Sequence, residues 1–101
     1  SGRSLYVGNV IDVDQEKQLV KIEAKNRFAV GDKLEIIQPS GNTDVVLEEI
    51  FSTKGEPMRV VPGAGYTVWA KLPLSSNGAF LARYTTQDNA SKLEQIPIME
   101  A

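Results

Sequence analysis

Short β-branched stretches recur along this chain at intervals of about ten residues, each closed by residues that favour turns, and that punctuation dictates a fold built from strands. Leu5 to Val13 alternates through Leu5, Val7, Ile11 and Val13, and the polar run Asp14-Gln15-Glu16-Lys17 turns it back. Leu19 to Ala24 returns with Val20, Ile22 and Ala24 on one face and Lys21 and Glu23 on the other, so the first two segments read as a hairpin. Lys33 to Gln38, Asp44 to Phe51, Met58 to Val61, Tyr66 to Leu72 and Ala79 to Tyr84 complete the series. The chain has 8 glycines and 5 prolines, nearly all of them in the gaps, which leaves no room for a long internal helix. The expected fold is all-β, a small closed or partly open β-barrel of about six to seven strands, since closure removes exposed sheet edges.

The expected boundaries are a disordered N-terminal remnant over residues 1–4, a barrel over 5–84 and a tail over 85–101. Ser91 and Glu94 have the spacing of a capping box, so the tail can hold a short helix that Pro97 ends. Ser1 in place of an initiator methionine points to a processed chain or a piece of a longer one.

Composition removes most catalytic chemistry. The 101 residues include no histidine and no cysteine. That excludes imidazole bases and ligands, thiol nucleophiles, zinc ribbons and cluster thiolates, so any catalysis would run on carboxylates, lysine, tyrosine or serine alone; no catalytic, cofactor-binding or metal residue is assigned. Lack of cysteine also fits a cytoplasmic protein. No apolar run reaches the ~18 residues of a membrane helix, so no membrane partner is expected.

Three motif fragments reduce to turn and strand features. Asp12, Asp14, Glu16 and Glu23 fit four positions of a calcium loop, but Lys17 stands where the loop's glycine bends the chain. Glu48 and Glu49 are neighbours on a strand and point to opposite faces, so they cannot work as an acid–base pair. Gly63 and Gly65 lack the third glycine and the lysine of a phosphate loop. Asn89-Ala90-Ser91 matches a glycosylation acceptor, with no secretory feature to support it.

The formal charge of −2 argues against a free-standing binder of DNA or RNA. Locally the balance differs: Lys21, Lys25, Arg27 and Lys33 gather around one connection with Phe28 in its middle. Phe28 can plug a barrel end or stack on a partner. Trp69 points away from the Val68/Ala70 face, where an indole is either covered by a loop or kept for a partner. The candidate contact surface is therefore Lys25, Arg27, Phe28, Lys33 and Trp69.

Asn26-Arg27-Phe28-Ala29-Val30-Gly31-Asp32-Lys33-Leu34-Glu35 is the most distinctive run, and its Val30-Gly31-Asp32 turn resembles one in the second-domain barrels of translation elongation factors. With Pro39-Ser40-Gly41, Val46-Leu47-Glu48-Glu49-Ile50, Gly55-Glu56-Pro57 and Val61-Pro62-Gly63 it resembles the C-terminal domain of the collagenase-like peptidase family of unknown catalytic type, number thirty-two. That resemblance covers about residues 5–84. It implies a β-barrel attached to a larger N-terminal catalytic domain, in a parent labelled a protease or linked to hydroxylation of pyrimidines in tRNA or ribosomal RNA. It also implies an iron–sulfur cluster held by cysteines of the parent's main domain. The expectation is a non-catalytic accessory barrel, not an enzyme by itself, that positions substrate or braces the catalytic domain. Its partners would be that domain and RNA, tRNA above all, or peptide; the rival expectation is an autonomous hydrolase using carboxylate or lysine chemistry.

Overall fold

The alternation of Val20, Ile22 and Ala24 against Lys21 and Glu23 becomes the central hairpin of the fold. In the computed structural model, which describes residues 3–85, β1 (Ser4–Asp14) pairs antiparallel with β2 (Leu19–Ala24). Eight further strands follow: β3 (Phe28–Ala29), β4 (Lys33–Ile37), β5 (Thr43–Val46), β6 (Ile50–Phe51), β7 (Pro57–Met58), β8 (Val60–Val61), β9 (Thr67–Ala70) and β10 (Phe80–Tyr84). A single 3-10 turn, Leu74–Ser76, is the one helical element among the described residues.

Eight strands form one antiparallel sheet in the order β5-β4-β10-β1-β2-β9-β6-β7, and β3 and β8 make a separate two-stranded ribbon. The sheet curls into a partly open barrel around Val10, Ile22, Leu34, Ile36, Leu47, Ile50, Val68 and Leu81, all buried. Each of the larger of these side chains stabilises the fold by about 1.5–3 kcal/mol through loss of apolar area to water. The ribbon is tied in by Val30 N–H to the Arg59 carbonyl and by reciprocal bonds of Gly31 and Leu47 N–H to the Leu47 and Asp32 carbonyls. Phe28, paired with Val61, stands fully buried in the core.

Three strand assignments are corrected. The long first strand keeps no single alternation. Bulges between Tyr6 and Gly8 and between Val10 and Asp12 insert an extra residue and reset its phase, so Val7 and Val10 face inward while Leu5 and Ile11 are exposed. Asp44 to Phe51 is two strands, because Leu47 leaves the ladder to bond Gly31 and Asp32. Met58 to Val61 is also divided, Met58 pairing with Ile50 in the large sheet and Val61 with Phe28 in the ribbon. Of residues 1–4, expected to be disordered, Ser4 opens β1 opposite Tyr84 and the Arg3 carbonyl accepts the Thr85 N–H at 2.9 Å. The helix expected at Ser91–Glu94 lies outside the described residues.

Two glycines are required by this geometry. Gly8 sits where β1 crosses close to β2, and a Cβ there would run into the Glu23 carbonyl oxygen. Gly31 has φ +95, in the left-handed region, at the centre of the turn between β3 and β4. Asp32 closes that turn, its carboxylate accepting the Ala29 N–H at 2.8 Å.

Candidate functional site

The five residues expected to form one surface do not meet. Phe28 is 0% exposed and is withdrawn from any contact role; it plugs the core, as the pairing of β3 with β8 requires. Lys33 lies on β4 at the rim, 3.8 Å from Asp44 and with its ammonium 5.2 Å from the Tyr84 ring centroid. The Arg27 carbonyl accepts the Arg83 Nε–H at 3.0 Å, which keeps that arginine beside the same rim. Lys25 pairs with Glu23 at 3.5 Å just past the end of β2. Trp69 is on β9, separated from β4 by β10, β1 and β2, four inter-strand steps or about 19 Å along the curved sheet. Nearness in sequence gathered residues 25–33, whereas the strand order decides what stands beside the indole.

Trp69 belongs to a row across four strands. Asp12 faces Lys21 on β2, Lys21 faces Trp69 on β9, and Trp69 faces Phe51 on β6. The Lys21 ammonium stands 5.7 Å from the indole centroid, a cation–π distance. Trp69 is half-buried on the outer side because its neighbours Val68 and Ala70 take the inward positions. Two turns rise on either side of it. One, after β1, carries Asp14 and Lys17; its geometry is held by Asp14 Oδ1 accepting the Lys17 N–H at 3.0 Å. The other, between β6 and β7, carries Ser52 and Lys54; the Ser52 hydroxyl oxygen accepts the N–H groups of Lys54 and Glu56, both at 3.2 Å. Between the turns lies a groove of about 470 Å³ lined by Asp14, Lys17, Leu19, Phe51, Lys54 and Trp69 among others. Lys17, Phe51 and Lys54 were absent from the expected surface. No sequence signal brings them together, since β2 and β6 become neighbours of β9 only through the sheet order.

The charges divide between the two regions. Among the described residues, Lys25, Lys33 and Lys71 are paired with Glu23, Asp44 and Glu49, while Lys17, Lys21 and Lys54 have no carboxylate partner within 4.0 Å. A second outward patch is apolar: Tyr6 and Phe80, 42% and 56% exposed, meet edge to face with centroids 6.0 Å apart on β1 and β10. Among the described residues no group of three acids is placed to hold a metal, and Asp12 and Asp14 serve their own turn. The chain supplies no thiolate for an iron–sulfur cluster.

A curled antiparallel sheet with an aromatic groove on its outer side defines a small, partly open β-barrel domain. Residues 3–83 match the Peptidase family U32 C-terminal domain, and the chain belongs to that family. It is 41% identical over 85 residues to tRNA hydroxylation protein P of Escherichia coli strain K12, covering 82% of this chain and 18% of that protein. It is 29% identical over 91 residues to the protein of the same name in Haemophilus influenzae, covering 88% of this chain and 20% of that one. The chain thus spans about a fifth of the length of the curated relatives it matches. The fold is that of the crystallised C-terminal domain of a Geobacillus thermoleovorans U32-family protein, with a TM-score of 0.70 at 22% identity over 80% of this chain and 92% of that one. The selenomethionine form of that domain gives 0.67 at 25% identity, over 77% and 96% of the two chains. No helix among the described residues is long and apolar enough to cross a membrane.

Proposed function

We propose that this chain is the non-catalytic accessory barrel of a longer protein that acts in tRNA uridine hydroxylation, and that it holds the RNA substrate for an N-terminal catalytic domain. The observation that carries this reading is the 41% identity to a protein named for tRNA hydroxylation, over a match that includes most of the barrel. Reactive groups, including any iron–sulfur cluster, then belong to the longer chain, because no cysteine is available here. A tRNA substrate implies work in the cytoplasm. The exposed Tyr6–Phe80 pair suits the seat of the catalytic domain, since aromatic side chains supply large apolar contact area at domain boundaries.

The test is removal of the barrel from the full-length protein. Loss of tRNA affinity and of hydroxylated uridine, with the melting temperature of the remaining domain unchanged, is the expected result. Full hydroxylation by the shortened protein overturns the reading. Peptide or ester turnover by the isolated 101-residue chain would overturn it in favour of a hydrolase.

A further inference from the structure

Among the described residues, the three lysines without a carboxylate partner are Lys17 and Lys54, which line the groove with Trp69, and Lys21, which stands beside the indole, and this distribution gives the groove an occupant. We propose that it binds an unpaired nucleotide of an RNA strand, the base stacking on the Trp69 indole and Lys17, Lys21 and Lys54 meeting the flanking phosphates. This rests on the reading of the barrel as an RNA-contacting domain and adds where and how the contact is made.

Three observations favour this occupant. The indole has Lys21 on one side along the sheet and Phe51 on the other, an aromatic platform framed by cations, which is the composition that single-stranded nucleic acid selects. The phosphate-binding groups are uncommitted: Lys25, Lys33 and Lys71 already neutralise carboxylates, but Lys17, Lys21 and Lys54 do not. Lastly, β9 is paired on both sides, by β2 and by β6. A peptide therefore finds no free strand edge beside Trp69 to extend, which removes the commonest way a sheet holds an extended peptide. A base inside a duplex cannot lay its face on the indole, so the nucleotide must come from a loop, bulge or end. The ammonium of Lys21, now over the ring, is displaced by the incoming base and moves to a phosphate.

Trp69 is the only tryptophan in the chain, so its fluorescence reports this site alone. Titrating the 101-residue chain with a short oligouridylate is expected to quench that emission, with affinity falling steeply as salt rises. Trp69→Ala should weaken binding about tenfold, and Trp69→Phe should retain most of it because a ring remains. Replacing Lys17, Lys21 and Lys54 together with glutamine should lower the salt slope by about two, at roughly 0.7 per lost phosphate contact. Lys25→Gln should leave both unchanged. If the chain binds RNA but Trp69 emission does not move and Trp69→Ala binds normally, this site is wrong while the RNA-contact reading stands. If no RNA binds at any salt concentration, both fall. Quenching by polyglutamate and not by oligouridylate would give the groove to an acidic peptide and overturn the proposal.

Discussion

The phenol of Tyr84 donates a 2.7 Å hydrogen bond to Asp44 Oδ1, joining the last described strand to the edge strand β5 across β4. Lys33 completes the group, its ammonium both 3.8 Å from the same carboxylate and over the Tyr84 ring. Residues far apart in sequence thus close the rim of the sheet at β5, where the ladder otherwise ends.

That bond makes Tyr84 a reporter of rim closure. Donation to Asp44, followed by partial desolvation and the nearby charges of Asp44 and Glu35, pushes its pKa up to about 12 from the ordinary 10.0. Because the folded value lies above the unfolded one, the stability that the neutral phenol contributes is complete below pH ~10 and is lost as pH rises toward about 12. Ultraviolet titration of tyrosinate should show an ionisation step near pH 12. Asp44→Asn should bring that step down, and Tyr84→Phe should abolish it; a late step that survives Tyr84→Phe would show that another residue is responsible.

Gly8→Ala should destabilise the chain by about 1–3 kcal/mol, since the added methyl meets the rigid Glu23 carbonyl and forces β1 away from β2. Gly63→Ala, where nothing lies within 4 Å of the new Cβ, should fall within about 0.5 kcal/mol of the parent. Urea unfolding of the two variants side by side measures the difference.

Asp32→Ala should cost about 1 kcal/mol by leaving the Ala29 N–H without its carboxylate partner. Gly31→Ala should cost about 1–2 kcal/mol, because φ +95 is disfavoured for a residue with a Cβ. The two changes act on one turn and are expected not to add, which a double-mutant cycle detects.

Phe28→Ala should cost about 3–5 kcal/mol, the range for emptying a large core site. Phe28→Leu should keep the fold at a cost of roughly 1.5 kcal/mol or less and leave RNA affinity unaltered. A selective loss of RNA affinity in Phe28→Leu would return this ring to the contact surface.

Local physics made the fold class legible. The inward positions of Val20, Ile22, Leu34, Ile36, Val68 and Ala70 follow from simple alternation, and all are buried. The Val30-Gly31-Asp32 turn was also readable, because glycine at positive φ and an aspartate accepting a nearby amide are interactions within a few residues. Long-range pairing was not. Nothing local tells β1 where to bulge, and each bulge reverses the faces beyond it, so Ile11 is outside and Val10 inside.

Amino-acid order alone therefore determined that the chain is a strand-built domain without thiol or imidazole chemistry, and that Trp69 lies on the side of its strand opposite Val68 and Ala70. Only the tertiary structure decided the indole's neighbours. Side-chain direction along a strand is a two-residue property, whereas adjacency between strands depends on the free energy of the whole sheet. That cooperative choice set β9 between β2 and β6, drew Phe28 inside with β8, and placed Lys17 and Lys54 in the groove beside Trp69 with Lys21 paired across from the indole.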